Sequence, residues 1–141
     1  AACAGIADYI ETLHQHHGGS SSASATERGE FVHDLMRAHE MQIMPPLLEW
    51  ASNKNSVRLL GPDKAGLRAP TIALDIKQDP KEVTNKLAQK GIMAGSGDFY
   101  AVRALEAHDI DTSKGVLRLS FVHYTNREEI EKLVDALDSS I

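Results

Sequence analysis

Cysteine is nearly absent from this chain. Cys3 is the only one among 141 residues, which excludes an internal disulfide and suits a reducing compartment, the cytoplasm. A basic excess is absent too. Fifteen Lys and Arg face twenty Asp and Glu, for a net charge of −5, whereas a nucleic-acid-binding domain carries a basic footprint. No apolar run approaches the roughly 20 residues that span a bilayer, so no membrane partner is expected, and no signal-peptide pattern opens the sequence. Nor is there a starting Met: the sequence opens at Ala1 in what reads as mid-helix, as a piece of a longer protein would. What is present, 42% hydrophobic residues, is enough to build the core of one domain.

The clearest pattern lies at Gly115–Leu137, GVLRLSFVHYTNREEIEKLVDAL. Leu117, Leu119 and Phe121 alternate with Arg118 and Ser120, which predicts a half-buried strand. Thr125 with Glu128 three residues on has the spacing of a capping box. Ile130, Leu133, Val134 and Leu137 then form one helical stripe, with Glu128, Glu129 and Glu131 where the helix dipole favours negative charge.

Arg118 carries the chemical interest. A guanidinium in mid-strand is costly to bury without a partner. One reading places it on a solvated face or against a structural carboxylate. The other makes it a fixed fork for a ligand carboxylate or phosphate.

Upstream, residues 1–17 read as a helix with Ile6, Ile10 and Leu13 on one face, ending in HQHHGG. Of His14, His16 and His17, His14 and His17 share a helix face. A metal site needs three or four convergent ligands, however, and no Cys or carboxylate is conveniently placed beside them, so a solvated helix end is expected and no metal. Residues 18–25, GGSSSASA, form a flexible, poorly ordered linker. A long helix follows Thr26, carrying Phe31, Leu35, Met36, His39 and Ile43, until Pro45-Pro46 interrupts it. Pro46 suits the first turn of a short helix over Leu47–Ala51, with Met36, Met41 and Met44 in packing roles and Trp50 anchoring this helix on a sheet. Val57–Leu60 is a short strand, 63–69 a polar loop, and Thr71–Ile76 an alternating strand. Asp79, Pro80 and Glu82 start a helix as N-cap, N1 and N3. Val83, Leu87 and Ala88 are its buried face and Gly91 its stop. Ile92–Ala94 is expected as a short strand, Gly95-Ser96-Gly97-Asp98 as a tight turn, and Phe99–Ala107 as a helix.

Thr71–Lys90 and Val116–Leu137 share one plan of alternating strand, polar cap and amphipathic helix. Two such units predict an α+β fold, a small open sandwich with helices on one face of a largely antiparallel sheet of three or four strands.

The run RLSFVHYTNREEIEKLVDAL, with Arg118, Ser120, Tyr124, Thr125, Asn126, Glu129 and Ile130, resembles the C-terminal signature of class V aminotransferases. RAPTIALDI and GIMAGSGDFYAVRALEAHDID resemble that family's R-x-P-T strand and its glycine-containing active-site segment. AACAGIADYIETL resembles the helix that leaves the large domain. The resemblance spans nearly the whole chain but only about the last third of a family member. It implies a fragment of a pyridoxal-5'-phosphate (PLP) enzyme acting on an amino acid or similar carboxylate, homodimeric when complete. Residues 1–17 would be an exit helix, 18–25 a linker and 26–141 the small domain. Arg118 would bind the substrate carboxylate, and the loop Gly95, Ser96 and Gly97 would border the active site.

Cysteine desulfurases of that family carry a catalytic Cys near this loop; here there is none. Nor does any of the eight lysines sit in the S-x-H-K setting in which the family holds PLP. The fragment alone is therefore expected to bind no PLP covalently, to hold no catalytic residue and to be inactive, its partner being a missing large domain. His123 and Tyr124 read as a core-edge His and a packing Tyr, since no carboxylate orients them. The alternative is a free-standing, non-catalytic α+β binding module.

Overall fold

A computed structural model describes residues 2–141, leaving Ala1 of the expected first helix outside the described residues. The chain forms two compact units, one up to His39 and one from Glu40 to Ile141.

The first unit is a helical hairpin of α1 (Ala2–His16) and the beginning of α2 (Ala25–Ile43). Glu11 and Arg28 pair across it at 2.9 Å. The serine-rich connection hides a helix start that its composition obscured. The Ser24 hydroxyl accepts from the Glu27 N–H, and the Glu27 carboxylate accepts from the Ser24 N–H, a reciprocal cap. The Ser24 backbone N–H, and after it the Ser24 hydroxyl, hold the Glu27 carboxyl below its ordinary value. His14 is not at a solvated helix end. It is buried, with its ring edge-on to Phe31 at 5.1 Å, because the chain turns back and lays Gly19 against the imidazole, where any Cβ would overlap the ring. Of the expected α1 stripe, Ile6 is exposed.

In the second unit, β1 (Val57–Leu60), β2 (Thr71–Ile76), β3 (Gly95–Gly97) and β4 (Val116–Ser120) form one sheet. Its order is β1-β2-β4-β3 and every pair is antiparallel. The helices are α3 (Pro45–Asn53), α4 (Pro80–Gln89), α5 (Val102–Ala107) and α6 (Arg127–Asp138). Ile72, Leu74, Leu117 and Leu119 interlock with Leu47, Val83, Leu87, Ile130, Leu133 and Leu137 in the main core. Each such side chain contributes about 1.5–3 kcal/mol by leaving water. The α+β architecture is therefore as expected, with α3, α4 and α6 on one face of a four-stranded antiparallel sheet. The opposite face is partly covered as well: Leu105, Ile110 and Val116 cluster there with Leu60, Ala73 and Phe99.

Caps set the element boundaries. Asp79 accepts from the Lys81 N–H at 2.8 Å, with Pro80 at the start of α4. Gly91 follows in the left-handed region at φ 75°. Val83 and Leu87 are buried, but Ala88 is exposed. The α6 cap falls one residue later than expected. Asn126, not Thr125, forms the box with Glu129, each accepting from the other's N–H at 2.9 Å. Thr125 is occupied in a turn, its hydroxyl accepting from the Val122 N–H, so β4 ends at Ser120. Trp50 packs against the main core and donates to the Asp138 carboxylate at 3.1 Å, which also ties α3 to the end of α6. Lys54 pairs with the same carboxylate.

The largest departure concerns residues 92–107. The expected strand at Ile92–Ala94 is displaced to Gly95–Gly97, which is an edge strand on β4 and not a tight turn. The helix begins at Val102 instead of Phe99. Glycine disfavours strands locally, but backbone pairing with β4 overrides that preference. Phe99 and Tyr100, at φ 51° and 60°, make the turn expected from the glycines.

Candidate functional site

Directly paired residues of an antiparallel sheet project to the same face. Arg118 pairs with Ala73 on one side and Gly95 on the other, and Ala73 pairs with Leu60. The row Leu60–Ala73–Arg118–Gly95 therefore lies on the face away from the main core. Its members are small on both sides of Arg118, which leaves room for the guanidinium. Gly97 shares this face with Val116, whereas Ser96 pairs with Leu117 and faces the helices. Gly95 and Arg118 are thus brought together, and Ser96 is not.

Phe99 fills the space that Gly95 leaves. A Cβ on Gly95 would stand 3.0 Å from the Phe99 Cζ. The Arg118 guanidinium carbon lies over that ring, 3.9 Å from its centroid. Arg118 is exposed, and among the described residues no carboxylate or carbonyl oxygen bonds it. The chain's other sheet-associated arginines are occupied. Arg58 pairs with Asp75 at 2.9 Å and donates to the His108 carbonyl at 2.8 Å. Arg68, from the RAPT motif, donates to the carbonyls of Pro62, Leu60 and Thr71, clamping the β1–β2 connection, and burial lowers its pKa. On the same face of the sheet, the Thr71 hydroxyl donates to that of Ser120 at 3.3 Å. Tyr100 is fully exposed beyond the Phe99 turn.

This is an anion-competent fork on a rigid strand, next to a glycine edge and a strained aromatic turn. Residues 21–133 match the family described as Aminotransferase class-V. The chain belongs to the class-V aminotransferase family. A probable cysteine desulfurase of Aeropyrum pernix is 29% identical over 106 residues, covering 74% of this chain and 24% of the relative. An aminotransferase-like protein, FGM3, of Gibberella zeae is 28% identical over 112 residues, covering 74% of this chain and 27% of the relative. The chain thus spans about a quarter of the length of these curated relatives. In fold it resembles the apo cysteine desulfurase of Thermococcus onnurineus. The TM-score is 0.69 at 20% identity, over 82% of this chain and 28% of that one.

Class-V enzymes use PLP, which a lysine holds. Lys54 is paired with Asp138. Lys86 and Lys90 cap the end of α6 through Ser140 and Ala136 oxygens. Lys64, Lys77, Lys81, Lys114 and Lys132 are exposed. None lies in the row with Arg118. Among the described residues, no three His, Cys, Asp or Glu side chains are placed to hold a metal, and no helix is long and apolar enough to cross a membrane. His123 is half-buried with its ring edge-on to Tyr124, but Tyr124 is exposed instead of packed.

Sequence reasoning singled out Arg118 and the glycine segment but not Phe99. The signal was available in the paired aromatics of GDFYA, yet reading them as the first turn of a helix put their side chains elsewhere.

Proposed function

We propose that this chain is the C-terminal small domain of a PLP-dependent class-V enzyme acting on an amino acid or similar carboxylate. Residues 1–17 form the exit helix of a large domain, 18–25 the linker and 26–141 the small domain. Arg118 binds the substrate carboxylate, and Gly95, Ser96 and Gly97 border the active site. The observation that carries this reading is the Arg118 guanidinium over Phe99 at 3.9 Å, with no protein oxygen on its donors among the described residues.

A guanidinium presents a planar set of N–H donors that matches a carboxylate bidentately. Carried on β4, it would fix both the position and the orientation of the substrate. PLP, with its lysine, belongs in this reading to the large domain and supplies the electron sink for amino-acid chemistry. The absence of a cysteine near Gly95–Asp98 favours transamination, elimination, lyase or epimerase chemistry over persulfide chemistry. The complete protein is a cytoplasmic homodimer, and this chain alone binds no PLP covalently and is inactive.

The coding sequence upstream of Ala1 tests the proposal. It is expected to encode a lysine-bearing domain, whose product with this chain retains a PLP absorbance band through dialysis that the 141-residue chain alone does not. A reading frame that opens at Ala1 would overturn the proposal and leave a free-standing binding module.

A further inference from the structure

Resting on the carboxylate-binding reading of Arg118, we propose that Phe99 is a positioning residue that presents the Arg118 fork to its ligand. A mid-strand arginine on an exposed face has many rotamers, and freezing a long side chain costs conformational entropy when a ligand binds. A carboxylate partner would hold it still, as Asp75 holds Arg58, but would occupy the N–H donors the ligand needs. Phe99 offers a different kind of contact. The ring attracts the cation through its quadrupole and places no oxygen on the guanidinium, so the fork is held and remains available.

Three features make this arrangement. Gly95 is the cross-strand partner of Arg118, and its missing side chain leaves the space the ring occupies. A Cβ there would come within 3.0 Å of Phe99 Cζ and 3.1 Å of Cε1. The backbone then turns through two successive non-glycine residues in the left-handed region, Phe99 at φ 51° and Tyr100 at φ 60°. That conformation is unfavourable for bulky side chains and persists only where the surroundings impose it. Finally, the ring is steadied against the small cluster of Leu105, Ile110 and Val116, so its position is tied to the sheet. Filling that cluster alone would explain an apolar residue at position 99. It would not require an aromatic ring beneath a cation.

The test separates these roles. In the 141-residue chain, NMR should show the Arg118 side-chain δ protons shifted upfield by the ring and its Nε–Hε group ordered. Phe99→Leu keeps an apolar side chain and should return both to the values of a free arginine, whereas Phe99→Tyr should preserve them. Gly95→Ala, which leaves Phe99 in place but displaces its ring, should mimic Phe99→Leu. In the complete protein, Phe99→Leu should raise KM for the carboxylate substrate roughly two- to five-fold with kcat little changed, the size of an exposed cation–π contact, and Phe99→Tyr should restore it. An Arg118 signal unmoved by Phe99→Leu would overturn the proposal. If the signal moves as expected but Arg118→Ala leaves KM unchanged, the carboxylate reading fails and the positioning role fails with it. If Arg118→Ala raises KM and Phe99→Leu does not, only the positioning role fails.

Discussion

Gly115→Ala should dismantle the candidate site from outside it. Gly115 sits at φ 68° immediately before β4, and a Cβ there would overlap the backbone of Gly97. Two costs combine. An L-residue in the left-handed region costs roughly 1–2 kcal/mol, and forcing an added carbon into a closed contact costs roughly 1–3 kcal/mol. The neighbour is main chain, so no side chain can rotate away. The sum, about 2–5 kcal/mol, is a large part of the ~5–15 kcal/mol that holds an ordinary domain. The cheapest relief is for β3 to leave the edge of the sheet, since each ladder bond contributes only about 1 kcal/mol net. Urea unfolding should therefore show a lower midpoint. Hydrogen exchange should quicken at the amides bridging Gly95–Gly97 and Val116–Arg118, while those between β1 and β2 change less. A variant within about 0.5 kcal/mol of the parent, the scatter of ordinary surface changes, with β3 protection intact, would refute the reasoning.

The other expectations are smaller in scope. Asn126→Ala removes one half of the α6 capping box and should cost about 1 kcal/mol in urea unfolding; no measurable loss would show that Asn126 is not the effective cap. Leu117→Ala opens a cavity at a fully buried position of the central strand and should cost about 2–5 kcal/mol, read from the same experiment. Arg118→Ala, by contrast, should alter stability by less than about 1 kcal/mol, because an exposed cation–π contact is worth no more than that. Lys54 and the Trp50 N–H hold the Asp138 carboxyl below its ordinary value. Its contribution to stability is therefore full above the ordinary aspartate pKa and disappears as pH falls through the lowered one. The fluorescence of Trp50, the only tryptophan, should report that titration below the ordinary aspartate range, and Asp138→Asn should abolish it.

The elements legible in the sequence are those whose local pattern and tertiary role agree. β2 and β4 alternate because one face meets the core, and α4 and α6 carry stripes of Val83 and Leu87 or Ile130, Leu133 and Leu137 for the same reason. Polar caps mark their starts, although two adjacent candidates, Thr125 and Asn126, left the boundary open by one residue. Where backbone pairing decides, side chains carry no signal. β3 is Gly-Ser-Gly, and only the ladder to β4 makes it a strand. Burial of His14 likewise depends on a turn that brings Gly19 onto its ring, and nothing in HQHHGG indicates this. The Arg118 fork was visible as a charge among β-formers. Its aromatic support was not, since the link from Phe99 to Arg118 runs through the empty position of Gly95.

The most direct measurement of the central claim is the steady-state kinetics of the complete protein with and without the Arg118 guanidinium. Hydrogen bonds to a charged group are worth about 1.5–3 kcal/mol each, so Arg118→Ala should raise KM for an amino-acid substrate by about ten- to a hundred-fold or more, with Arg118→Lys recovering only part of the loss because an ammonium lacks the planar fork. An unchanged KM for Arg118→Ala would contradict the account and return Arg118 to the wet face of a sheet.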